Sequence, residues 1–101
     1  MKIVEEYTSV NKQNDVEFRY SYRLTNKEFH GMMVYGIEVE RKDYVGAKNV
    51  NLERDKIDII SPEKDDVEKM LIKIWNNQLS PIHLIDVLGS YVDNNVYKFN
   101  I

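Results

Sequence analysis

His83 and Asp86 stand three residues apart in a stretch with helical rhythm, so one turn would set them side by side. An imidazole beside a carboxylate can act as half of a metal site, or as a general base with an orienting acid. Either role needs more groups, and a structural zinc takes four ligands. The other histidine, His30, falls on a distant strand, and the chain has no cysteine. His83 at a helix start and Asp86 in water is the simpler reading. Glu38 and Glu40 are a second pair. On one strand face they would lie about 7 Å apart, a separation that an inverting glycosidase can use. A chain of 101 residues has little room for a sugar cleft, and a solvated sheet face explains both. Arg19, Tyr20, Tyr22 and Arg23 interleave cations and aromatics, but RNA-stacking sheets need both on one exposed face. Here a period of two sets the tyrosines opposite the arginines. No Gly-x-Ser-x-Gly, phosphate loop, dinucleotide glycine pattern or His-Glu-x-x-His occurs. No catalytic residue, metal or cofactor is expected, and the chain is not expected to be an enzyme.

These side chains would be positioned by a sheet followed by two helices. The rhythm of apolar residues changes near Ser61 from two to helical spacing. Residues 1–60 read as antiparallel strands. The first is 1–10. The second alternates Val16, Phe18, Tyr20, Tyr22 and Leu24 with Glu17, Arg19, Ser21 and Arg23. A turn at 25–28 leads to a third strand over 29–41, in which Gly31 and Gly36 suggest a bend or a close backbone approach. Lys42, Asp43 and Gly46 form the next loop. The stretch 50–60 slips phase across Arg54-Asp55-Lys56, which predicts a bulge or a break into two short strands.

Ser61-Pro62 and Ser80-Pro81 each precede an apolar-periodic run, with Ser suited to the cap and Pro to the first helical position. Two helices are therefore predicted within 62–93. The first buries Val67, Met70, Leu71 and Ile74. The second is apolar over most of its circumference, so it lies centrally or under a partner. Residues 96–101 alternate again and predict a final edge strand. The fold class is α+β: one domain over 1–101, an antiparallel sheet of four to five strands followed by a two-helix hairpin packed on one face.

The net charge is -3. Residues 1–50 carry eight basic and eight acidic side chains; 51–101 carry six and nine. Neither half makes the strong positive field that phosphate backbones require, so nucleic acid is not expected as a partner. The start, Met1 to Glu6, turns acidic before an apolar run of signal length develops. No segment is apolar for long enough to span a bilayer, and the lack of cysteine fits a reducing compartment. A cytoplasmic protein without membrane contact is expected.

The stretches Tyr35-Gly36-Ile37-Glu38-Val39, Ile57-Asp58-Ile59-Ile60-Ser61 and Leu79-Ser80-Pro81-Ile82-His83-Leu84-Ile85-Asp86-Val87-Leu88 resemble an uncharacterised family of small proteins from clostridia and related Gram-positive bacteria. The resemblance covers about residues 30–93. It implies a bacterial cytoplasmic setting and no activity or catalytic residues.

One further feature points to a partner. Met32, Val34 and Gly36 lie opposite Met33, Tyr35 and Ile37, so the middle of strand three is apolar on both faces. A sheet with helices on one side leaves the other side wet, and an apolar patch there marks a protein contact. The alternative is cover by the chain itself. The expected function is a non-enzymatic protein-interaction or regulatory module, self-associating as a homodimer, through Met32, Val34, Tyr91 and Val92. The rivals are a small metal-dependent protein or enzyme using His83 and Asp86, and a nucleic-acid-binding protein.

Overall fold

In the computed structural model the chain forms four antiparallel strands followed by two short helices, an α+β arrangement. The structure describes residues 2–94, with side chains as far as Gly89. The strands are β1 (Lys2–Gln13), β2 (Val16–Phe29), β3 (Met32–Val45) and β4 (Lys48–Ser61). Helix α1 is Lys64–Asn76; a 3-10 turn, Pro81–His83, leads into α2, Leu84–Asn94. The strands are hydrogen-bonded in sequence order, β1-β2-β3-β4. The expected strand at 96–101 lies outside the described residues.

The alternation that defines β2 survives intact. Tyr20, Tyr22 and Leu24 are buried on the helix side, while Arg19, Ser21 and Arg23 face the other way. The turns fall elsewhere than their polar composition suggests. Thr25 to Glu28 continue β2 and pair with Gly36 to Met33; the reversal occurs at His30-Gly31. Both residues have positive φ, 51° and 78°, as the two-residue hairpin turn that matches strand twist requires. Lys42 and Asp43 likewise belong to β3, and the chain reverses at Gly46-Ala47. Strand β1 runs on to Gln13, leaving Asn14-Asp15 as its turn.

Arg54, Asp55 and Lys56 keep regular register with Glu40, Val39 and Glu38, so no bulge lies there. The irregularities flank them, at Val50 and between Ile57 and Ser61. In the second, β4 advances from Ile57 to Ser61 while β3 retreats only from Ile37 to Tyr35. The surplus chain crosses Gly36. A Cβ on Gly36 would lie 2.5 Å from the Asp58 carbonyl oxygen and nearer still to that of Ile57. The close approach expected at this glycine is present, and its cause is the bulge of β4.

Tyr20, Tyr22, Leu24, Ile37, Val39 and Ile60 from the sheet form one buried cluster with Val67, Leu71 and Ile74 of α1 and Leu84 and Leu88 of α2. Each fully buried aliphatic side chain contributes about 1.5–3 kcal/mol. Specific contacts fix the helix positions. The Trp75 indole N–H donates to the Thr8 carbonyl at 2.9 Å, and its ring lies 5.0 Å from that of Tyr7. The Tyr22 hydroxyl donates to the Leu79 carbonyl at 3.0 Å, holding the link between the helices.

The two serines act differently from the expected caps. Ser61 ends β4, and its Oγ accepts from the Glu63 N–H at 3.0 Å, one turn of chain before α1 begins with Glu63 as cap residue. The Ser80 Oγ accepts from Arg41 at 3.3 Å, while its carbonyl receives the His83 N–H.

Tyr22 gives the fold a pH handle. Burial first, and then the neighbouring Tyr20, push its phenol well above the usual 10.0. The unfolded chain would release this proton above about pH 10 and the folded chain would keep it, so stability falls as pH rises past 10. Tyr22→Phe should lose about 1 kcal/mol at neutral pH through the missing hydrogen bond. It should also show a shallower loss of stability between pH 10 and 11 in urea titrations. An unchanged alkaline slope would remove Tyr22 as its cause.

Candidate functional site

The residues that suggested chemistry do not converge. His83 ends the 3-10 turn and Asp86 lies in the first turn of α2; both are exposed. His30 occupies the β2–β3 turn, its ring edge-on to Phe29 at 4.2 Å. Among the described residues no group of three or more His, Cys, Asp or Glu side chains gathers where an ion could sit.

Nor does β3 present the apolar patch expected of it. Val34 has no exposed surface, and Met32 is half-buried beside the β2–β3 turn. Two residues along the strand from Val34, on the same face, the bulged β4 backbone lies against Gly36. The apolar stretch on the second face is thus accounted for within the chain. The side chains of Tyr91 and Val92 lie outside the described ones.

Exposed aliphatic side chains gather on α2 and its approach, while others, among them Ile3, Val10, Val45, Val50 and Leu52, are spread over the sheet. Pro81, Leu84 and Leu88 face inward, at spacings that make one helical stripe. Ile82 is 63 % exposed and Ile85 and Val87 are each 50 % exposed, flanking that stripe on both sides. Beside Val87, an open groove of about 410 Å³ runs between the helices, lined by Met70, Ile74, Leu79 and Leu88, with Lys73 and Asn77. The sequence indicated this in one respect: α2 is apolar over more of its circumference than one buried stripe can use.

The opposite face of the sheet holds the ionic chemistry. Arg23 donates to Glu38 at 2.7 Å and to Glu40 at 3.2 Å, and also contacts Glu6. Glu40 further meets Arg54 at 3.2 Å. The paired glutamates read as possible acid–base partners are therefore both bound to one guanidinium. Burial alone would lower the Arg23 pKa, but hydrogen bonds to Glu6, Glu38 and Glu40 outweigh it and raise it above the usual value. Arg19 sits over the Tyr44 ring at 4.2 Å and meets Glu17.

A second cluster braces the start of the 3-10 turn. Arg41 donates to Asp43 at 2.9 Å, pairs with Glu53 at 3.2 Å and reaches the Ser80 hydroxyl, while Asn51 donates to Asp43 at 3.0 Å. Nothing in the local spacing revealed it, because its members come from three separate segments.

No helix among the described residues is long and apolar enough to cross a membrane. The chain belongs to a family of unknown function (DUF6514), whose model matches residues 1–94. No curated protein and no solved structure matches it.

Proposed function

We propose that this family member is a non-enzymatic interaction module that self-associates through the outward side of α2. The observation that carries the reading is the exposure of Ile82, Ile85 and Val87 next to the interhelical groove. The sheet's other face is mostly charged, with its cations in ion pairs, whereas the outward side of α2 is aliphatic. A second copy suits α2 because an isologous contact apposes the same surface from both subunits. The described side chains of α2 carry one formal charge, Asp86, so apposition brings little like-charge repulsion. A cytoplasmic setting belongs to this reading and is supported by the absence of cysteine.

A stable dimer buries about 800 Å² per partner, and burying each isoleucine contributes about 1.5–3 kcal/mol. Ile82→Asp with Ile85→Asp should therefore convert a dimer to a folded monomer. Sedimentation equilibrium reads the mass, and far-UV circular dichroism verifies the fold. A parent protein that stays monomeric at its highest soluble concentration, or a variant that still dimerises, would reject the reading.

A further inference from the structure

Two copies of this chain could meet through α2 and still leave the far side of the sheet open. That side is built from four cross-strand rows set by the register. They are Lys12, Glu17, Tyr44 and Asn49; Val10, Arg19, Lys42 and Leu52; Thr8, Ser21, Glu40 and Arg54; and Glu6, Arg23, Glu38 and Lys56. These rows hold six cations and four carboxylates, an excess of positive charge in a chain whose net charge is -3.

Most of the cations also stand higher than most of the acids. The side chains of Lys12, Arg19, Lys42, Arg54 and Lys56 are between 47 and 74 % exposed. Those of Glu38 and Glu40 are 8 % exposed and that of Glu17 is 23 %; the outermost row reverses the order, with Arg23 at 17 % and Glu6 at 43 %. Long cationic stems lie over the acids and leave their heads in water. Away from Glu6, a molecule approaching this face meets ammonium and guanidinium groups first.

The five exposed cations trace a diagonal band across all four strands. Neighbouring strands are about 4.8 Å apart and alternate residues on one strand about 6.8 Å. At the two ends of the Arg19–Lys42 row stand Val10 and Leu52, both half exposed or close to it. We propose that this face docks an acidic polypeptide segment, with carboxylates on the Arg19, Lys42 and Arg54 band and aliphatic side chains on Val10 and Leu52.

The charge pattern favours a protein partner over a nucleic acid. Each cation keeps a carboxylate within 4 Å: Lys12 and Arg19 keep Glu17, Lys42 and Arg54 keep Glu40, and Lys56 keeps Asp58. That gives a moderate field, weaker than polyphosphate binding uses. The aromatic ring in these rows, Tyr44, already has the Arg19 guanidinium over it at 4.2 Å, which a stacking base would have to displace. Opposed fields speed encounter and select partners.

The probe is a labelled synthetic peptide of six glutamates flanked by leucines, followed by fluorescence anisotropy, with a thymidine 20-mer in parallel. The peptide should bind at low salt and weaken as salt rises. Arg19→Gln with Lys42→Gln should weaken it about tenfold, and Arg54→Gln with Lys56→Gln should act in the same direction. Lys64→Gln with Lys69→Gln, on exposed α1 positions, should leave binding unchanged. Absence of peptide binding, equal loss in the α1 variant, or tighter binding of the oligonucleotide than of the peptide would overturn the proposal.

Discussion

Gly36→Ala should leave the chain unable to hold its fold at ordinary temperature. The added methyl would stand 2.5 Å from the Asp58 carbonyl oxygen and closer to that of Ile57. Both are backbone atoms, so no rotamer change relieves the contact. Strand β4 would have to withdraw, and with it Ile60 and Ser61, which are buried with no exposed surface and lead directly into α1. Overpacking a core with a single methyl costs about 1–3 kcal/mol when side chains can shift; against fixed backbone the cost lies above that range. A chain of this length holds about 5–15 kcal/mol in total. Urea unfolding followed by circular dichroism should show a midpoint lowered by half or more, or no cooperative transition. A midpoint near that of the parent would mean that β4 does not cross Gly36 as described.

Arg23→Met should have the next largest effect, through the acids it leaves behind. Glu38 and Glu40 are each only 6 % exposed although neither helix among the described residues covers their face. They are shielded by neighbouring long side chains, Arg23 first among them. Met keeps much of the stem and removes the charge, so Glu38 loses its 2.7 Å partner and Glu40 one of its three. Removing one member of a buried ion pair costs about 3–5 kcal/mol. The exposed remaining partners of Glu40 place the expected loss near the lower end, about 3 kcal/mol. Adding Glu38→Gln and Glu40→Gln to the variant should recover most of it, because the uncompensated charges are then gone. A double-mutant cycle in urea measures that coupling. If the triple variant is no more stable than Arg23→Met, packing of the arginine stem rather than charge accounts for its role.

The outcome at Arg23 illustrates how far local pattern reaches. Its position opposite Tyr22 follows from a period of two, and the face that turned out charged could be read from Glu17, Arg19 and Arg23 alone. That this face sinks Glu38 and Glu40 and raises Lys12, Arg19, Lys42 and Arg54 could not. Lys12, Arg19, Lys42 and Arg54 come from four strands, and along the chain each has acidic neighbours that mask the excess. The same limit governed Val34. Its neighbours Met32 and Gly36 made an apolar face, but a segment more than twenty residues later decides whether that face meets water. The turns shifted for a related reason. Thr25 to Glu28 have turn-like composition, yet cross-strand partners on β3 hold them extended, and the positive φ values at His30 and Gly31 locate the reversal.

The sequence by itself determined the change from strand to helix near Ser61, the buried side of β2 and the inward stripe of α1. These depend on burial at short, fixed spacings, which any stretch of chain displays on its own. Tertiary structure alone decided where the hairpins turn, that β4 closes over Gly36, that α2 stands with its aliphatic flanks outward, and at what depth each charge of the sheet lies. Those properties come from pairing between segments distant along the chain, where one bulged strand can change which side chains reach water.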